Sequence, residues 1–181
     1  AGTSQPRRRV VITGMGVITL WGREVETLWN SLLEGKSGVG PMSRCATSVG
    51  YDSTSAAEVR DFDPKPVFNN PKEHKRTDRF THFAMAAAKG AMTDANFDLE
   101  KVDRDRFGVM VSSGIGGLKT LEDQHSALVN KGPDRVSAFT IPMLIGNMAS
   151  GSSSMGWGRR GPNQCMVPAC PTGDHGIGRS G

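Results

Sequence analysis

Apolar positions along the chain fall into short continuous runs separated by stretches of helical period. Val10–Thr13 is a β-branched run ending at Gly14-Met15-Gly16, which predicts a buried strand opening into a tight turn. Val25, Leu28, Trp29, Leu32 and Leu33 then recur at i, i+3, i+4, i+7 and i+8, one apolar helix face, with Gly35 placed to end the helix. From Lys36 to about Asn70 the period dissolves into Gly, Ser, Pro and Asp, which predicts long loops with strand candidates only near Ala57–Phe62. Thr77 or Asp78 can cap a second helix whose buried face carries Phe80, Phe83, Ala84, Ala87, Ala91 and Ala95, and those small alanines imply close packing against another element.

The second half repeats the alternation. Phe107–Ser112 predicts a strand, and the glycine-rich turn Ser113–Gly117 leads to a helix with Leu118, Leu121, Leu128 and Val129 that Gly132-Pro133 ends. A short helix is expected from Pro142. A third strand, Met166–Ala169, ends at Cys170, with Pro171 placed at the first position of a following helix. Strands alternating with helices predict an α/β layered fold with a largely buried sheet.

Composition narrows the classes. Leu, Ile, Val and Phe make up about a fifth of the 181 residues, a thin allowance for an independent core. A net charge of +4 is too small to indicate disorder or an obligate nucleic-acid binder, though it suits acidic partners. No stretch approaches the roughly 20 apolar residues that cross a bilayer. The basic start of the chain is followed by an apolar run too short and glycine-broken for a signal peptide. Cys45, Cys165 and Cys170 are odd in number and irregularly spaced, which argues against a disulfide framework and fits a reducing compartment.

Two strand–glycine–helix junctions invite a dinucleotide reading, because helix N-termini approached closely by backbone bind phosphate. Neither completes the fingerprint: Thr19 and Thr120 stand where the late glycine belongs, and no Walker sequence occurs. Turn geometry and tight packing account for these glycines. Cys165, Cys170 and His175 are five apart, which is not a zinc spacing, so no metal is expected.

Cys170 differs from the other cysteines by its place. At a strand-to-helix junction its sulfur would face unpaired N–H groups and the positive end of the helix dipole, which favour thiolate. Its own N–H would stay free to hold an oxyanion. His175, five residues on, is turned about 140° round a helix axis and is a poor base for it. His74, His82 and His125 read as surface or packing residues.

Several blocks in order carry a family likeness. They are Arg8-Arg9-Val10-Val11-Ile12-Thr13-Gly14-Met15-Gly16, Leu33–Gly38, Ser113–Leu118, Ile141-Pro142-Met143 with Asn147-Met148, and Gly161-Pro162-Asn163 ahead of Ala169-Cys170. The chain resembles the β-ketoacyl-acyl-carrier-protein synthases, in the type II, fatty-acid-elongating form. The resemblance implies a thiolase-like layered α/β fold, of which residues 7–181 would be the N-terminal half, cut shortly after the nucleophile, with 1–6 as a flexible tail.

By the family pattern Cys170 accepts an acyl group from the phosphopantetheine of an acyl carrier protein, and a decarboxylating malonyl thioester then attacks that group. No cofactor is implied beyond the arm the carrier brings. The two histidines and the lysine that assist decarboxylation, and the second oxyanion donor, belong to the family's other half, so these 181 residues alone are expected not to condense acyl groups. Ile115 matches a position lining the acyl channel, as does Thr140, where a phenylalanine is usual. The pattern is also departed from at Leu20-Trp21-Gly22, at Pro168, Pro171 and Asp174 around the nucleophile, and most widely over Ser152–Arg160.

The basic run Pro71–Arg76 reads by itself as a solvated helix start. By the resemblance, Lys72, Lys75, Arg76 and Arg135 match a surface that docks the acidic carrier protein. The family works as a homodimer, binds no nucleic acid and has no membrane span. A bacterial cytoplasm is the expected compartment, with a plastid stroma as the alternative. The rival readings are a polyketide ketosynthase, a non-catalytic thiolase-like scaffold and, on the glycine turns alone, a nucleotide-dependent oxidoreductase.

Overall fold

A computed structural model describes residues 9–44, 50 and 52–180. The tail 1–6, Arg8 and Cys45 lie outside the described residues.

The first helix, α1 (Val25–Leu33), forms where the apolar period places it, and Gly35 follows it with a φ of +65° that a side-chain-bearing residue rarely adopts. A β-ribbon pairs β1 (Gly40–Pro41) antiparallel with β2 (Ser55–Ala56), just ahead of the expected Ala57–Phe62. Short 3-10 turns at Lys65–Val67 and Pro71–Arg76 lead to α2 (Arg79–Asp94). After a 3-10 turn at Leu99–Lys101 comes β3 (Val109–Met110). There follow α3 (Leu118–Lys131), a 3-10 turn at Pro133–Arg135, α4 (Thr140–Leu144), α5 (Met148–Gly156), β4 (Asn163–Gln164) and α6 (Thr172–Ser180).

The parallel ladder of β3 and β4 is the centre of the fold. Val109 N donates to Pro162 O at 2.8 Å, Val111 N to Gln164 O at 3.3 Å and Ser113 N to Met166 O at 3.3 Å. The expected third strand therefore lies earlier than Met166–Ala169, since its pairing partners run from Pro162 to Met166. α5 covers this ladder and itself packs on α2, with the methyl of Met85 beside Gly156. Its two buried serines are no obstacle because both hydroxyls are satisfied. Ser150 donates to Asn147 O and Asn163 Oδ1, both at 2.9 Å, and Ser153 to Ala149 O at 2.8 Å. The divergent stretch Ser152–Arg160 is thus regular and well bonded. Its buried Arg159 donates to the carbonyls of Trp157 (2.6 Å) and Leu99 (3.1 Å), tying the end of α5 to the Leu99–Lys101 turn.

Two expectations of burial do not hold. Val10–Thr13 forms no strand, and Ile12 is 81% exposed, because a strand needs a neighbour to pair with and none of the described segments pairs with it. The apolar faces of α1 and α3 are open too, with Trp29 59% exposed and Leu118, Leu121, Leu128 and Val129 uncovered. Among the described residues the buried apolar side chains are Phe68, Met85, Val109 and Ala149.

The alanines of α2 do meet another element. A Cβ on Gly14 would stand 2.6 Å from Ala95 N, and one on Gly16 would collide with the backbone of Ala87 and Ala91, so Gly14-Met15-Gly16 lies directly on α2. Met15 N adds a hydrogen bond of 2.8 Å to Asp94 Oδ2. No described helix is long and apolar enough to cross a membrane.

Candidate functional site

Cys170 is exposed, between the end of the ladder and α6. Ala169 before it adopts φ +62°, a left-handed turn uncommon for a residue with a Cβ. The chain therefore bends just ahead of the sulfur. Pro171 O accepts from His175 N at 3.0 Å, so Pro171 caps α6 and the helix proper begins at Thr172, one residue later than expected. Both the N–H and the hydroxyl of Thr172 turn back to Ala169 O. The Cys170 N–H donates no hydrogen bond among the described residues. His175 is exposed on α6.

The turn Ser113–Gly117 lies against this junction: a Cβ on Gly114 would stand 3.8 Å from Ala169 O. Ser113 Oγ accepts from Gly116 N at 2.9 Å, closing the turn, and Gly116 takes φ +90°. α6 approaches the same strand end. A Cβ on Gly176 would stand 3.0 Å from Ser112 Oγ, which in turn accepts from Met166 N at 3.3 Å. Ile115, at the tip of the turn, is 67% exposed.

The glycine turn is fixed from its other side by α4. Gly117 N donates to Leu144 O at 2.8 Å, and a Cβ on Gly117 would stand 2.9 Å from Asp78 Oδ2. Thr140, the first residue of α4, is half-buried and its hydroxyl donates to Ser137 O at 2.5 Å. The structure thus brings the Cys170 junction, the turn bearing Ile115 and the helix bearing Thr140 into one contiguous unit.

Lys72, Lys75 and Arg76 share the exposed 3-10 turn Pro71–Arg76, so the basic run starts no α-helix; α2 begins three residues later. Arg76 lays its guanidinium over the Phe139 ring at 4.8 Å, which joins the basic turn to the start of α4. Beneath it opens a cleft of about 400 Å³ lined by Phe68, Met85, Phe139, Met148 and Trp157 together with Arg76. Arg135 is exposed in the short turn after α3, near Lys131. Lys72, Lys75, Arg76 and Arg135 enter no ion pair among the described residues.

His82, read from sequence as a packing or surface residue, is half-buried in the first turn of α2. Burial pushes its imidazole below the ordinary histidine value, the charge of His74 acts in the same direction, and the bond to His74 O opposes both. Asp78 is a second residue whose role the sequence does not disclose. It stands at the N-cap of α2 but turns its side chain to Thr120 of α3 rather than to its own helix.

Residues 7–180 match the family described as Beta-ketoacyl synthase, N-terminal domain. The chain is 45% identical over 177 residues to 3-oxoacyl-[acyl-carrier-protein] synthase 2 of Synechocystis sp., covering 95% of this chain and 41% of the relative. It therefore spans about two fifths of that relative's length. Among solved structures it is similar to the ishigamide ketosynthase/chain length factor, with TM-score 0.79 and 25% identity over 90% of this chain and 40% of the other. It also superposes on AntDE:AntF, a type II polyketide ketosynthase in complex with its acyl-carrier protein, with TM-score 0.77 and 22% identity over 96% of this chain and 45% of the other.

Proposed function

The chain belongs to the β-ketoacyl synthase family and has its thiolase-like fold, and on that footing we propose that it supplies the nucleophile of a 3-oxoacyl-[acyl-carrier-protein] synthase of fatty-acid elongation. The observation that carries the reading is Cys170 itself. It is an exposed thiol one residue past a left-handed turn, with an N–H that is not consumed by the described structure.

In the proposed reaction the Cys170 sulfur, having lost its proton, attacks the carbonyl carbon of an acyl thioester on the phosphopantetheine arm of an acyl carrier protein. The tetrahedral oxyanion faces the Cys170 N–H. The carbon–sulfur bond to the arm breaks, the released carrier thiol takes up a proton, and the acyl group stays on Cys170. A malonyl thioester then loses CO2, and its carbanion attacks the acyl carbon, expelling the Cys170 sulfur and leaving a 3-oxoacyl thioester on the carrier. The transfer draws only on the arm that the carrier brings. Ile115 and Thr140 border the acyl chain in this reading.

Docking falls to Lys72, Lys75, Arg76 and Arg135, exposed cations that suit an acidic carrier and whose attraction weakens with salt. The protein acts as a homodimer in a bacterial cytoplasm, and in a chain of its relative's length the open faces of α1 and α3 and the unpaired Val10–Thr13 are covered. The polyketide alternative draws on likeness of fold, whereas the 45% identical relative is named for 3-oxoacyl synthesis.

The test is acylation. The chain is incubated with a fatty acyl carrier protein and, in parallel, with iodoacetamide, and adducts are mapped by peptide mass spectrometry. The expected result is an acyl adduct on Cys170 that disappears in Cys170→Ala. A label on Cys45 or Cys165 instead, or an unmodified Cys170 as in a non-catalytic scaffold, overturns the reading.

A further inference from the structure

The turn that carries three of the four docking cations is tied to α2 by one imidazole. His82 places Nε2 3.0 Å from the carbonyl oxygen of His74 and 3.0 Å from Oγ1 of Thr77. Its ring meets Phe68 edge-on, with 5.6 Å between centroids, and Phe68 is buried. Thr77 Oγ1 reaches back to the carbonyls of Glu73 and His74 at 3.3 Å. At the other end of the turn Asn70 accepts from Lys72 N at 3.1 Å, and Asn69 Nδ2 donates to Gly156 O at 2.8 Å.

A six-residue 3-10 segment has poor internal hydrogen-bond geometry and does not hold its shape alone. Its shape is nonetheless what decides where its cations point. Burial favours the neutral imidazole, the charge of His74 on the turn acts the same way and that of Asp78 at the start of α2 opposes it, so one ring nitrogen carries the proton and the other does not. A proton on Nε2 completes the bond to the His74 carbonyl.

We propose that His82 is a positioning residue of the docking surface: by donating from Nε2 to the His74 carbonyl it fixes the turn, and so the direction in which Lys72, Lys75 and Arg76 meet an acidic carrier protein. The inference rests on the docking reading given above. His82 itself is half-buried and adds no charge, so it acts through order: a turn already in its bound shape loses less freedom on association.

Binding of fluorescently labelled apo acyl carrier protein at low ionic strength, read by anisotropy, tests both steps separately. The triple variant Lys72→Ala/Lys75→Ala/Arg76→Ala reports on docking and is expected to weaken binding by about tenfold or more. His82→Phe keeps a ring against Phe68 and removes the donor; it is expected to weaken binding about fivefold, whereas His82→Gln, which can donate, stays within about twofold of the parent. If the triple variant binds as the parent does, the docking reading fails and the inference falls with it. If the triple variant weakens binding but His82→Phe does not, docking stands and positioning by His82 is overturned. Equal losses in the Phe and Gln variants assign the effect to ring shape and overturn it as well. Imidazole nitrogen NMR of the unmodified chain gives a check that needs no variant: the Nε2–H tautomer is required, and the Nδ1–H tautomer sinks the proposal.

Discussion

The buried carboxylate of Asp78 accepts from both the backbone N–H of Thr120, at 3.2 Å, and its hydroxyl, at 2.5 Å. Thr120 is in the first turn of α3, where N–H groups have no partner within the helix. Asp78 thus stands at the start of α2 while its side chain satisfies the start of α3, close beside Gly117. Asp78→Ala strands two buried donors and is expected to lower stability by about 2–3 kcal/mol, with Thr120→Val costing about half as much because the N–H bond survives. Urea unfolding of the two variants measures the difference, and equal effects would contradict this division of labour.

The glycines of the first turn and those of α6 answer oppositely to alanine. At Gly16 a Cβ has no room against the α2 backbone, and neither wall is a movable side-chain end, so Gly16→Ala is expected to cost about 3 kcal/mol or more. At Gly178 nothing lies within reach of a Cβ, and alanine there should stabilise the helix after Cys170 by about 0.5–1 kcal/mol. Gly176→Ala lies between these limits, because its wall is the Ser112 hydroxyl, 3.0 Å away. Thermal unfolding of the three variants ranks them; a destabilising Gly178→Ala would refute the ordering.

These contrasts show where the sequence is readable. The helix period and the glycines at 35 and 132 locate α1 and α3, since both signals are local. Alanines at 87, 91 and 95 announce close packing, and Gly14 and Gly16 are what they meet. Strands are less legible. Val10–Thr13 has strand composition without a described neighbour, and the ladder opposite β3 begins at Pro162 among polar residues that do not alternate. The place of Cys170 follows from Pro171, which cannot continue a strand interior. The left-handed Ala169 leaves no trace, because alanine carries no preference for that conformation. Nor can any local pattern tie Asp78 to a threonine 42 residues away.

The half-buried His82 gives stability a pH dependence of definite sign. Its pKa is lowered in the folded chain, so the folded state favours the neutral ring. Above the unfolded value of about 6.5 both states are neutral and its contribution is complete. As pH falls through that value the unfolded chain gains a proton the folded chain resists, and stability declines until folded His82 also titrates. Unfolding midpoints followed downward from pH 7.5 should therefore fall more steeply for the parent than for His82→Gln; parallel curves would remove His82 as the cause.

The sharp turn ahead of the nucleophile yields the last expectation. Ala169 holds φ +62°, where a Cβ costs roughly 1 kcal/mol, and its carbonyl receives both polar groups of Thr172. Glycine at 169 removes that cost but adds a similar entropic one in the unfolded chain, so Ala169→Gly should be near neutral in stability. Valine cannot adopt the turn without strain at a branched Cβ, and Ala169→Val is expected to cost about 2 kcal/mol. The two variants leave the thiol and its surface exposure in place, so any difference in Cys170 alkylation by iodoacetamide reports on backbone direction alone. Slower alkylation in Ala169→Val with a parent-like rate in Ala169→Gly ties reactivity to the turn, whereas equal rates in all three proteins would show that the sulfur's presentation does not depend on it.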